Sequence, residues 1–314
     1  MGAAAFRPFG GGAAGTGGLM RTMLVTGGDG QLGRALGALV PPAGWRVKAA
    51  GRGALDVADA GAVAKAIGSG GYAAVINAAA YTDVDRAKRD AVEAWRMNAL
   101  APAGLAAACA AHGVPIVHIS TDYVFDGRKP APYEPGDRPA PCNIYGASKL
   151  GGEIAVAASG ARHVILRTAW LISPYGHNFA TTMMRLAAER RSVRVVADQI
   201  GNPTLAGDLA QAAVAIAIRL ADDPTAPSSI YHFANAGAAS WAELARALFA
   251  QSCARGGPSA AVEPIGSADW PTPARRPANS RLSTQSLTDG FGITPRPWRD
   301  GLPALLDMLI GDPR

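Results

Sequence analysis

The sequence predicts an α/β protein: a doubly wound parallel sheet followed by a smaller, mixed C-terminal part. Two observations carry this. Short apolar runs alternate with helical stretches from Met20 to Thr168, the pattern of right-handed βαβ units. Beyond Trp170 the alternation loosens, and loops rich in Gly and Pro around 198–204 and 256–277 separate shorter elements. The predicted strands are 22–26, 45–50, 73–77, 115–120 and 164–168, and the helices between them are 31–40, 62–67, 90–112 and 144–158. The strands are mostly continuous apolar runs, as expected of a sheet covered on both faces.

The domain reading follows: residues 1–19 as a flexible extension, 20–170 with parts of 193–225 as a nucleotide-binding domain, and 171–192 with 226–314 as a substrate-binding part. The first stretch is rich in Gly and Ala and lacks a compact apolar block, so it reads poorly as a signal peptide. Met20 or Met23 serves equally well as a start.

The chain has 314 residues, 49% hydrophobic and 17% charged, with a net charge of +6. That composition provides a core and argues against disorder. The basic residues are scattered rather than striped, which speaks against nucleic acid. No run is long and apolar enough to predict a membrane span. Cys109, Cys142 and Cys253 are too few and too far apart for a disulfide framework or a metal-ligand spacing, and they suit a reducing cytoplasm. Cys109 reads as core. His112 and His118 read as surface or packing residues, and no metal site is expected.

Gly27-Gly-Asp-Gly30-Gln-Leu-Gly33 sits directly between the first strand and the first helix. In that context the pattern reads as a dinucleotide-binding turn of the Rossmann type. Glycine lets the backbone approach a pyrophosphate, and free N–H groups at the helix start face the anion. At the end of the second strand, where an acidic residue would grip ribose hydroxyls, the chain has Gly51-Arg52. A guanidinium suits a 2′-phosphate, which favours NADPH, with NADH as the alternative. Asp56 and Val57 are assigned to the adenine side.

Tyr145 and Lys149 stand four apart on a predicted helix and so share a face. Taken alone, the pair is ordinary. Beside a dinucleotide turn, and with Ser120 and Thr121 at the C-terminal edge of the fourth strand, it completes a set for carbonyl reduction. The set comprises a cofactor, a proton donor (Tyr145), a cation expected to lower its pKa towards neutrality (Lys149) and a hydroxyl for the substrate oxygen (Thr121).

Five stretches together carry a resemblance: Gly27–Gly33, Asn77-Ala-Ala-Ala-Tyr-Thr-Asp83, Ser120-Thr-Asp-Tyr-Val-Phe-Asp-Gly127, Tyr145-Gly-Ala-Ser-Lys149 and Arg276-Pro-Ala-Asn-Ser-Arg-Leu282. From about Met23 to the C-terminus the chain resembles the dTDP-4-dehydrorhamnose reductase family of the extended short-chain dehydrogenase/reductase superfamily. The resemblance implies NAD(P)H-dependent reduction of the C4 keto group of dTDP-4-dehydro-L-rhamnose. Tyr145 is then the proton donor, Lys149 its partner and a holder of the nicotinamide ribose, and Thr121 the group that orients the keto oxygen. It also implies that Gly27, Gly30, Gln31, Leu32, Gly33, Ala78, Ala79, Ala80, Thr82 and Ser120 line the cofactor. Asp122, Trp170, Asn178 and Gln199 meet the substrate, Trp170 by stacking on a base.

Related 4,6-dehydratases carry Glu after Thr-Asp as the base for elimination; this chain has Tyr123. Some family members form a homodimer around Mg²⁺ through a Glu on the first helix, where this chain has Ala35. A homodimer remains compatible, without the metal. Two other readings stay open. One is a reductase or epimerase of another nucleotide sugar. The other is a non-catalytic NADP-binding regulatory subunit like that of methionine adenosyltransferase, which resembles the same family.

Overall fold

Six strands hydrogen-bond into one all-parallel sheet: β1 (Arg21–Thr26), β2 (Trp45–Ala50), β3 (Tyr72–Asn77), β4 (Ile116–Thr121), β5 (His163–Thr168) and β6 (Ser229–His232). Their order is β6-β5-β4-β3-β1-β2. The computed structural model describes residues 20–311. The extension expected over 1–19 lies outside them.

Both faces of the sheet are covered, and β1 shows how. Met23 and Val25 pack with Leu36 of α1 (Gln31–Ala38) and Leu209 and Val214 of a later helix, Ala206–Asp222. Leu24 points the other way, into a cluster with Val63 of α2 (Ala60–Ser69) and Leu105 of α3 (Ala101–Ala111). Successive side chains of a strand leave opposite faces, so an apolar run of this kind stays dry only between two helical layers. Cys109 is fully buried in the second cluster, and burial pushes its thiol up to about 12.

The order reverses at β1, so the C-terminal ends of β1 and β3 open a crevice where doubly wound sheets take ligands. The helix α4 (Ile144–Ala158) has the bounds predicted for it and packs against β4 and β5. Asn143 caps it, its side chain accepting from Gly146 N–H at 2.8 Å.

Two features differ from the sequence reading. The helix expected over 90–112 is broken into Ala91–Trp95, a π-helical segment Arg96–Leu100, and α3. The break sits where Asn98 is buried, bonded to Tyr81 and to Ser148 Oγ. The second difference is β6, which pairs with β5 and so carries the main sheet past the boundary drawn at 226. The remaining strands are short and mixed. Ile200–Gly201 runs antiparallel to Ala239–Ser240 and parallel to Asn279–Ser280, and Ser192–Val196 pairs with Ala261–Ile265. They share a third apolar cluster with the helices Phe179–Glu189, Trp241–Cys253 and Leu302–Gly311.

Candidate active site

A cleft of about 380 Å³ lies over the C-terminal ends of the strands. The glycine turn forms one wall. Gly27 has φ +73°, and a Cβ there would lie 2.6 Å from Ala79 N. At Gly33 a Cβ would lie 2.1 Å from Gly27 O. Both glycines are therefore required by close backbone approach rather than by flexibility alone. Gly30 caps α1 with no side-chain hydrogen bond, and no acidic residue stands in the first turn. The helix thus offers its first N–H groups and the positive end of its dipole to the cleft.

The shelf opposite is Ala78–Ala80. It is fixed by Asn77, whose Oδ1 accepts from Thr26 Oγ1 at 2.7 Å and from Ala79 N–H at 3.2 Å. Asn77 Nδ2 also meets the buried His118 ring at 3.0 Å, and burial holds that imidazole well below its usual range.

The cleft brings together Gly27, Gly30, Gln31, Leu32, Arg52, Asp56, Val57, Ala78, Ala79, Ala80, Thr82, Ser120, Thr121, Asp122, Tyr145, Lys149 and Trp170. Three of the predicted residues do not line it. Gly33 lies in the first turn of α1, packed on Gly27. Asn178 caps the helix Phe179–Glu189: its oxygen accepts from Ala180 and Thr181 N–H and its amide donates to Ser173 O. Gln199 bonds Ser267 Oγ at 2.9 Å and accepts from Trp241 Nε1 at 3.2 Å. Gln199 therefore reaches the cleft only through Trp241, whose ring stacks on Trp170 with centroids 3.5 Å apart. Trp170 has φ +46°, the one non-glycine residue with positive φ among the described residues. The stack and the bond from Thr204 N–H to its carbonyl hold it there.

Sequence reasoning missed Asp29, Met97, Tyr123 and Thr168, which also line the cleft. Asp29 was findable, since it sits inside the glycine motif. Its carboxylate accepts from Arg52 N–H at 3.1 Å. Met97 comes from the π-helical segment, which has no sequence signal.

At the reacting end, Thr121 Oγ1 donates to Asp122 Oδ1 at 3.0 Å and accepts from Tyr123 N–H, and the Tyr145 side chain lines the same end of the cleft. Burial pushes the Asp122 carboxyl up to about 6, against hydrogen bonds that favour its ionised form. Lys149 is buried, and its Nζ donates to Ile119 O at 2.6 Å. Burial lowers its ammonium to about 8, opposed by the charge of Glu153.

Tyr145 differs from expectation. Desolvation raises its phenol above the ordinary range, and Lys149 is not among the groups that shift it. The ammonium is turned to the Ile119 carbonyl rather than to the phenol. Three buried polar atoms of the cleft lack a hydrogen-bond partner: Gln31 Oε1, Asp122 Oδ2 and Thr168 Oγ1. Orphan groups of this kind converging on one cavity mark a place built for a polar ligand.

A family model described as the RmlD substrate binding domain matches residues 20–310. The dTDP-4-dehydrorhamnose reductase of Sinorhizobium fredii is 42% identical over 289 residues, covering 92% of this chain and 97% of that protein. The chain belongs to this family. Among solved dTDP-4-dehydrorhamnose reductases, that of Bacillus anthracis, in complex with NADP, superposes with a TM-score of 0.83 at 34% identity, covering 91% of this chain and 99% of that one. The Clostridium acetobutylicum protein superposes with a TM-score of 0.84 at 34% identity, covering 92% and 99%. A UDP-glucose 4-epimerase from Brucella ovis has a TM-score of 0.72 at 19% identity, a likeness of fold alone.

Proposed function

We propose that the protein reduces the C4 keto group of dTDP-4-dehydro-L-rhamnose to dTDP-L-rhamnose with NADPH. The observation that carries this is one cleft holding an uncapped glycine-turn helix end, orphan polar atoms and the Thr121–Tyr145 pair. The family membership supports the substrate.

The residues fit a dinucleotide. Gly27 and Gly30 leave room for a pyrophosphate at the start of α1, and the small side chains of Ala78–Ala80 make a shelf for flat rings. When bound, the cofactor supplies the hydride. An ordinary phenol is protonated at neutral pH and burial raises Tyr145 further, so it is present in the form that a proton donor needs. Thr121 and Tyr145 line the same end of the cleft; to orient the keto oxygen, the Thr121 hydroxyl turns its proton from Asp122 to the substrate. Trp170, stiffened from behind by Trp241 and Gln199, presents an aromatic wall to the nucleotide base. The three described cysteines are free, and we place the reaction in the cytoplasm. Among the described residues no helix is long and apolar enough to cross a membrane.

Arg52 is exposed at the cleft, where its guanidinium suits a 2′-phosphate; the Asp29 carboxylate beside its N–H suits ribose hydroxyls instead. Arg52→Ala is expected to weaken NADPH about tenfold and NADH little, a modest effect because the charge is solvated. Equal weakening in paired binding titrations removes the 2′-phosphate role.

With the Lys149 ammonium lowered to about 8, its positive charge is present near pH 7 and lost as pH rises. Accordingly kcat/KM is expected to be flat near neutrality and to fall about tenfold per unit well above pH 8. A profile flat to pH 10 contradicts the need for that charge.

The function is tested by mixing protein, NADPH and dTDP-4-dehydro-L-rhamnose and following cofactor oxidation. Oxidation that requires the keto sugar is expected. No oxidation with either NADPH or NADH overturns the proposal.

A further inference from the structure

Behind the cleft lies a buried charged pair that the reaction as described does not use. Arg167 of β5 and Glu153 of α4 are 1% and 2% exposed. They join through two parallel hydrogen bonds, Nε to Oε1 at 2.8 Å and Nη2 to Oε2 at 2.6 Å. Glu153 Oε1 also accepts from Ser120 Oγ at 2.5 Å. Arg167 Nη1 donates to Pro135 O at 3.2 Å, and its guanidinium lies 5.0 Å over the Phe125 ring.

A buried ion pair seldom stabilises a fold more than apolar residues of the same shape, so one placed here calls for a reason other than stability. Its position supplies one. Glu153 is one helical turn beyond Lys149, on the same face of α4. Lys149 holds the carbonyl of Ile119, and Glu153 holds the hydroxyl of Ser120. Two adjacent side chains of α4 thus grip the two residues immediately before Thr121. The Ser120 hydroxyl, assigned from sequence to the cofactor, is committed to this grip.

The charges point the same way. The groups that face Lys149 or its partners are Tyr145 and Glu153 on its own helix, the Ile119 carbonyl and His118 on β4, Asp122 and Tyr123 lining the same cleft, and Arg167 on β5 paired with Glu153. His118 is held uncharged by burial, and Tyr145 and Tyr123 keep their protons. Burial lowers the Lys149 ammonium most, and the Glu153 carboxylate one turn away opposes it.

We infer that Glu153, locked by Arg167 and Ser120, is a positioning residue for the reduction: it sets its carboxylate one helical turn from the Lys149 ammonium and fixes the end of β4 that carries Thr121. The inference rests on the reductase reading of Tyr145 and Lys149.

The test is the pH profile of kcat/KM for NADPH and the keto sugar, measured on the wild type and two variants. Glu153→Gln removes the counter-charge and leaves Arg167 as a second buried cation. Its alkaline limb is expected to move down by about one pH unit or more. Glu153→Gln/Arg167→Met removes both charges and is the safer fold; its limb is expected between those of the single variant and the wild type. A limb at the wild-type position in either folded variant overturns the inference, because a purely structural pair would alter yield and stability but not that limb. Should neither variant fold, Ser120→Ala decides: kcat is expected to fall about tenfold with KM held, and an unchanged kcat overturns the clamp. Absence of turnover in the wild type defeats the reductase reading instead, and full turnover in Tyr145→Phe removes Tyr145 from the mechanism; those two proteins alone tell these failures apart.

Discussion

Tyr145→Phe is expected to lower kcat by about 10²–10⁴-fold, the usual worth of a positioned proton donor. Reducing a ketone adds hydride to carbon and leaves an alkoxide that must take a proton. In the proposed reaction the buried Tyr145 phenol stays protonated until that negative charge develops, beside Thr121 at the same end of the cleft. Phenylalanine keeps the ring, and with it the edge contact to Tyr123 at a centroid distance of 5.5 Å, but carries no proton. The fold should change little, by about 1 kcal/mol or less. Cofactor affinity should hold within a few-fold. A variant that keeps wild-type turnover removes Tyr145 from the mechanism; one that loses cofactor binding as well shows a wider role for the side chain.

Gly33→Ala should be as damaging by a different route. The added Cβ would lie 2.1 Å from Gly27 O and 2.7 Å from Gly28 Cα, and both neighbours are backbone. No rotamer change relieves such a clash, so either α1 or the turn must move. Gly27 cannot retreat freely, because it lies against Ala79 on its other side. Overpacking of this kind costs about 1–3 kcal/mol of stability. The larger effect is on the ligand: displacing the N-terminus of α1 removes donors from the pyrophosphate position. NADPH affinity is expected to fall by about 100-fold or more, roughly 2.7 kcal/mol. Calorimetric titration on folded protein reads it. An affinity within threefold of wild type contradicts the turn as the cofactor cradle.

What was legible in the sequence follows from how local the cause is. Strand β2 and helix α4 have the bounds read from their runs, because hydrophobic pattern and capping are properties of neighbouring residues. The Tyr145–Lys149 spacing could be read because four residues make one helical turn. The direction of Lys149 could not, since it depends on the Ile119 carbonyl, 30 positions away. Strand β6 was missed because four residues of mixed character say little until β5 supplies a partner. The π-helical segment was missed because Asn98 is held by Tyr81 and Ser148, which only the fold brings near. The resemblance places Asn178 and Gln199 in the pocket, yet their amides are engaged in a helix cap and in support of Trp241. The Glu153–Arg167 pair gave no sign at all, because its two members lie 14 positions apart on different elements.

The central claim is hydride delivery to C4 of a dTDP-linked keto sugar in the cleft between the glycine turn and Tyr145. The most direct measurement uses NADPH deuterated at the transferring position, with dTDP-4-dehydro-L-rhamnose as acceptor and the sugar product read by NMR. Deuterium at C4 of dTDP-L-rhamnose, one per cofactor oxidised, is the expected result. Cofactor left unoxidised, or deuterium at any other carbon, would contradict it.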